Sequence, residues 1–189
     1  IYSGSSSSYP SNLTVMGDTL YFAANNGSQG NELWKSNGTT SGTELVQDIW
    51  SGSSGSNPGN IIASGSTLYF SAETTAAGTE LWKSNGTSTG TELVRDIYVG
   101  SNGSWPGNLT MVGSNLYFNA STSAAGGELW TSDGTYSGTV QVKDIWSGSS
   151  GSSPGNFKAS GSTLYFTAQN NSDGTELWKS DGSDSGTVQ

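Results

Sequence analysis

The sequence holds neither histidine nor cysteine among its 189 residues. Imidazole- and thiol-based nucleophiles are therefore excluded, as are zinc sites built from those ligands. The groups left for chemistry are 15 carboxylates, 6 cations and the aromatic, hydroxyl and amide side chains. Carboxylate-driven glycoside cleavage would need one special pair. The glutamates instead recur once per repeat, as Glu32, Glu80, Glu128 and Glu176. The acids that break the repeat, Asp18, Glu73, Asp173 and Asp184, fall at four different repeat positions. No acid–base pair follows from the spacing, and the chain is expected not to be an enzyme.

Aromatics outside the repeating pattern are better candidates. Tyr2, Trp50, Tyr98 and Trp146 follow an Asp-Ile step or its truncated counterpart. Tyr9 and Trp105 precede the prolines of alternate units, where Asn57 and Ser153 stand in the others. Tyr136 sits in an SDGTYSG loop, and Asn12, Asn60, Asn108 and Asn156 recur close to the prolines. A sugar site needs an apolar ring face with amide and hydroxyl hydrogen bonds around it. The candidate ligand-binding set is accordingly Tyr9, Trp105, Asn12, Asn108, Trp50, Tyr98, Trp146 and Tyr136. The competing reading has these rings cover sheet edges and fill gaps. Calcium is the one cofactor the Asp/Asn-rich turns could take, but no D-x-[DN]-x-[DN]-G loop occurs, and SDGSDSG at 180–186 comes nearest. No metal site is expected.

A formal charge of -9 repels phosphate backbones, so nucleic acid is an unexpected partner. No apolar run approaches the ~20 residues that span a bilayer, so membrane insertion is not expected either. Abundant Ser, Thr, Asn and Gly with few lysines suit an extracellular or cell-surface setting. The chain opens at Ile1 inside the repeat pattern, as a mature or excised piece would.

These residues are carried by a repeat. LYF occurs at 20–22, 68–70, 116–118 and 164–166, and ELW at 32–34, 80–82, 128–130 and 176–178. Pro10, Pro58, Pro106 and Pro154 keep the same 48-residue step. Units of approximately 1–48, 49–96, 97–144 and 145–189 follow, forming one domain over 1–189. Alternate units are more alike, which points to a 96-residue pair as the duplicated element. Each unit divides into four strand candidates, roughly 12–16, 19–24, 31–36 and 43–49 in the first. TLYFAA is apolar on both faces, so its sheet must be sandwiched. Repeated four-stranded sheets stacked around an axis are propeller blades. The expected fold class is all-β: a β-propeller of four-stranded antiparallel blades, four blades of about 48 residues.

Two finer expectations follow. Charges predict a third-to-fourth-strand register with Trp34 facing Leu45, Lys35 facing Glu44 and Glu32 facing Gln47, repeated as Glu80 with Arg95 and Glu128 with Lys143. The ends of the chain meet inside a fourth strand. They are expected to close a single-chain ring, with docking on another copy through the split outer strand as the alternative. Trp34, Trp82, Trp130 and Trp178 are expected to pack between blades, and the glutamate two residues earlier to form hydrogen bonds or ion pairs.

The strings ELWKSNGTTSGTELVQDI, ELWKSNGTSTGTELVRDI, ELWTSDGTYSGTVQVKDI and ELWKSDGSDSGTVQ resemble the ELWxxDGT repeat family across essentially the whole chain. The resemblance implies a propeller-like module of bacterial surface or secreted proteins, without a catalytic activity. Asn37 and Asn85 replace the motif aspartate that Asp133 and Asp181 keep, and Ser183 replaces its threonine. This interchange favours a turn-forming role over an obligatory charge. The expected function is a non-enzymatic extracellular recognition or adhesion module for glycans or cell-surface polymers. The alternative is a purely structural spacer or assembly module.

Overall fold

The computed structural model describes all 189 residues. The first sheet comprises β1 (Ser11–Met16), β2 (Thr19–Asn25), β3 (Asn31–Ser36) and β4 (Thr43–Gln47). The second comprises β5 (Gly59–Ser64), β6 (Thr67–Thr74), β7 (Gly78–Ser84) and β8 (Thr91–Arg95). The third comprises β9 (Gly107–Val112), β10 (Asn115–Thr122), β11 (Gly126–Ser132) and β12 (Val140–Lys143). The fourth comprises β13 (Gly155–Ser160), β14 (Thr163–Asn170) and β15 (Gly174–Ser180), and a lone bridge from Lys179 to Val188 marks where its fourth strand would lie. Strand order in every sheet is chain order, and all pairing is antiparallel.

Local chemistry sets these boundaries. Gly17 at φ 61 makes the tight first hairpin, a conformation open to glycine at no steric cost. In the third-to-fourth turn, Asn37 Oδ1 accepts from the Thr39 nitrogen at 3.1 Å and hydroxyl at 2.7 Å. Asp133 and Asp181 make the same two bonds to Thr135 and Ser183. Amide and carboxylate oxygens are equivalent acceptors here, which explains why the two residues interchange.

The register agrees with expectation at Trp34–Leu45 and Lys35–Glu44, and it departs one step earlier. A bulge places Leu33 opposite Gln47, Leu81 opposite Arg95 and Leu129 opposite Lys143. Glu32, Glu80 and Glu128 therefore do not face those partners across the strands. The bulge frees each carboxylate for a buried position between sheets.

Consecutive sheets pack face to face. Tyr21, Leu33 and Val46 meet Ile61, Leu68 and Phe70 of the second sheet. Tyr69, Leu81 and Val94 meet Leu109, Leu116 and Phe118. Tyr117, Leu129 and Val142 meet Phe157, Leu164 and Phe166. Trp130 and Trp178 are buried within these clusters, and half-buried Trp82 packs against the first of them. Trp34 lies in a smaller cluster with Phe22 and Ala24 inside the first sheet.

The expected single-chain ring is not formed. First strands pack in series, β1 on β5, β5 on β9 and β9 on β13, and β13 has no such packing with β1. Leu177 is 64% exposed although Leu33, Leu81 and Leu129 at the same repeat position are fully buried. Leu13 is 60% exposed, whereas Ile61, Leu109 and Phe157 are buried. Each joint repeats the same step, and four sheets so stepped form an open arc with an unmatched apolar face at either end.

Candidate functional site

Every joint is locked by one carboxylate. Glu80, fully buried, accepts from the nitrogens of Ile97 at 3.2 Å, Tyr98 at 3.1 Å and Ser104 at 2.8 Å, and from the Ser104 hydroxyl at 2.6 Å. Glu32 and Glu128 make the same four bonds, to Ile49, Trp50 and Ser56 and to Ile145, Trp146 and Ser152. Burial pushes all three carboxyls above their usual value of 4.5, and the hydrogen bonds pull against it. These glutamates are hydrogen-bonding residues of the fold. Their role also uses the backbone of Trp50, Tyr98 and Trp146, whose side chains are half-buried.

Beyond this lock the chain turns sharply into the next sheet. Residues 9, 57, 105 and 153 all have φ near +50°, as do Asn12, Asn60, Asn108 and Asn156 three positions later. Asparagine tolerates the left-handed region; tyrosine and tryptophan do so at a cost of roughly 1–2 kcal/mol. Tyr9 at φ 46 and Trp105 at φ 54 thus hold bulky rings on strained backbone. Both project outward, 76% and 63% exposed.

Trp105 borders a cleft of about 350 Å³ with Pro106, Asn57, Asn60, Glu73 and Thr79 among its walls. The cleft lies between the second and third sheets. It combines an exposed indole, two amides, a half-buried carboxylate and the half-buried Thr79, while the hydroxyls of Ser56 and Ser71 are already engaged within the fold. The Trp105 nitrogen donates to the Thr79 carbonyl at 3.1 Å, and Asn60 Nδ2 donates to the Pro106 carbonyl at 3.2 Å and to the Ser71 hydroxyl at 3.3 Å. The ring is therefore held by backbone pinned on both sides, while Asn57 and Glu73 present further polar groups to the cleft. Such a wall suits an uncharged polyhydroxylated molecule, stacked on the indole and bonded by amide and carboxylate.

The other candidates lie elsewhere. Asn108 does not border the Trp105 cleft; the asparagines there, Asn57 and Asn60, come from the preceding unit. Asn12 and Asn108 share a second concavity of about 290 Å³ along the first strands, with Asn60 between them. Their amides donate to the Pro58 and Pro154 carbonyls of the following unit, at 3.1 and 3.4 Å. Tyr136 stands on the outer rim beneath the Arg95 guanidinium, 4.8 Å from the ring centre, and Arg95 also donates to the Thr139 carbonyl at 2.6 Å. Tyr136 thus forms a contact between neighbouring sheets. No three acidic side chains gather where a metal ion could be held.

Sequence reasoning passed over Glu73, Asn57 and Thr79 as site residues. Glu73 carried a signal, since Asn25, Ser121 and Gln169 occupy its position in the other units.

No family model matches the chain, and no curated protein matches it either. Solved structures do. The chain is similar to a puromycin hydrolase crystallised as an S511A mutant, at 13% identity and a TM-score of 0.63, over 93% of this chain and 27% of that one. It is similar to TolB from Acinetobacter baumannii at 10% identity and a TM-score of 0.56, over 91% and 41% of the two chains. A prolyl endopeptidase matches at 12% identity and a TM-score of 0.56, over 88% and 23%. The chain spans about a quarter to two-fifths of the length of these structures. At such identities the likeness concerns the fold, which is all-β and propeller-like.

Proposed function

We propose that the chain is a non-enzymatic recognition module, a four-bladed propeller arc of the ELWxxDGT kind, that binds glycans or cell-surface polymers outside the cell through the cleft at Trp105. The observation that carries this reading is the strained, outward-held indole. A tryptophan that gains nothing from burial, on backbone better suited to asparagine, costs stability without contributing to the core, and such strain clusters at ligand sites. Its surroundings supply a stacking face, amides and one carboxylate, the donor and acceptor set a sugar requires. The buried carboxylates are consumed by the joints between sheets, and Glu73 has no acidic neighbour in its cleft. This supports binding over hydrolysis.

A glycan array probed with the chain and with Trp105→Asn tests the proposal, each with and without calcium. Asparagine keeps the backbone conformation and removes the ring. Binding by the parent chain, lost in the variant and unaffected by calcium, supports the reading. Absence of any binding would leave the structural-spacer function in its place.

A further inference from the structure

The two ends of the arc are halves of the joint that the chain builds three times internally. We propose that the open faces dock head to tail on a second copy of the chain, closing a two-copy ring of eight sheets and completing a second ligand cleft at Tyr9.

The repeat supplies most contacts of this fourth joint, lacking only a counterpart of the joint residues Val46, Val94 and Val142. Glu176 is exposed and accepts no hydrogen bond, while its three counterparts each take four. Displaced by one repeat, its donors are the nitrogens of Ile1, Tyr2 and Ser8 and the Ser8 hydroxyl of the second copy. Asn156 Nδ2 lacks the prolyl carbonyl that Asn12, Asn60 and Asn108 find, and Pro10 of the second copy supplies it. Lys35 and Lys83 donate to the carbonyls of Gly86 and Gly134, and Lys179 correspondingly reaches Gly38. Tyr165 and Leu177 cover Leu13 and Phe22, as Tyr69 and Leu81 cover Leu109 and Phe118.

A heterologous contact of this kind forms either a closed ring or an open filament. Eight sheets fall within the four to eight blades typical of propellers, which favours a ring of two copies over a filament. One position opposes the joint. Ser7 stands where Gly55, Gly103 and Gly151 meet the preceding sheet, and a side chain on Gly103 would collide with the Thr79 backbone. The joint between copies is therefore looser than those within a chain, and Ser7→Gly should tighten it.

The docked pair also explains Tyr9. Trp105 faces Asn57, Asn60 and Glu73 of the sheet before it, whereas Tyr9 has no sheet before it. In the ring, Ser153, Asn156 and Gln169 of the second copy take those places. The role of this cleft rests on the glycan reading; the docking does not.

Sedimentation velocity over a range from micromolar to near-millimolar tests the proposal. The chain should convert from one copy to two, twice its 19.5 kDa mass, and stop there. Leu177→Glu and Leu13→Glu each spoil one exposed face without touching the internal joints. Each variant alone should remain a single copy, and an equimolar mixture should recover the dimer, since one intact joint remains. Ser7→Gly should shift the dimer to lower concentration. A chain that stays single throughout, or that grows into an open ladder of sizes, overturns the proposal, as does a mixture that fails to associate. Glycan binding by the Leu177→Glu chain reports on the Trp105 cleft alone, so failure of that reading is seen separately.

Discussion

Replacing Glu80 with alanine should destabilise the chain more than any surface change, because it orphans the donors that close one joint. Ile97 and Ser104 are buried, and between them they aim three of the four donors at this carboxylate. Each buried donor left unpaired costs about 1–3 kcal/mol, so the substitution should cost roughly 3–9 kcal/mol, reduced to the extent that water enters the hole. The desolvation that raises the Glu80 carboxyl places the expected loss toward the lower half of that range. Urea unfolding followed by circular dichroism, with the slope checked for constancy, gives the value. The control is Glu176→Ala in the Leu177→Glu chain, where the carboxylate is exposed and without donors and the change should stay within about 0.5 kcal/mol. A loss at Glu80 below about 1 kcal/mol would refute the view that these carboxylates hold the sheets together.

Burial holds the folded carboxyls of Glu32, Glu80 and Glu128 above 4.5, so between that value and the raised ones the folded chain binds more protons than the unfolded chain; stability falls as pH rises through this window, and the urea midpoint should be higher near pH 4.5 than at about pH 8. Hydrogen bonds lower Asp133 and Asp181 from 3.8, which adds stability above 3.8 that is lost as pH falls through their folded values, so the midpoint should drop again on strong acidification. Trp130→Ala should cost about 3–5 kcal/mol by thermal or urea unfolding, as a ring removed from a joint between sheets. Trp105→Asn should instead raise the melting temperature slightly, by relieving roughly 1 kcal/mol of left-handed strain, while abolishing ligand binding. Gly103→Ala, at φ 74 and against the Thr79 backbone, should destabilise by more than about 1 kcal/mol.

Much of the fold was legible because the repeat is exact. Strands fall within a residue or two of their sequence assignments, and alternation at Leu20, Tyr21 and Phe22 foretold a sheet buried on both faces. The register was legible around the charges that face directly across the strands, at Lys35–Glu44 and Lys83–Glu92, which pair at 3.1 and 3.0 Å, and at the adjoining Trp34–Leu45. The bulge at Leu33–Trp34 left no local signal, because its reward is a hydrogen-bonded serine 24 residues further on. Ring closure depends on the angle between sheets, which no spacing encodes. Trp105 and Tyr9 were visible as departures from the repeat. Their amide partners were assigned to Asn108 and Asn12 by proximity in sequence, whereas the backbone kink turns Trp105 onto the preceding unit's Asn57 and Asn60.

The most direct test of recognition through the Trp105 cleft follows the indole N–H signals of the seven tryptophans by NMR while a glycan selected on the array is titrated in. Recognition through this cleft should shift the Trp105 signal saturably while Trp34, Trp82, Trp130 and Trp178 stay in place. Saturable binding that leaves Trp105 unmoved, or that moves Trp50 or Trp146 instead, would contradict it.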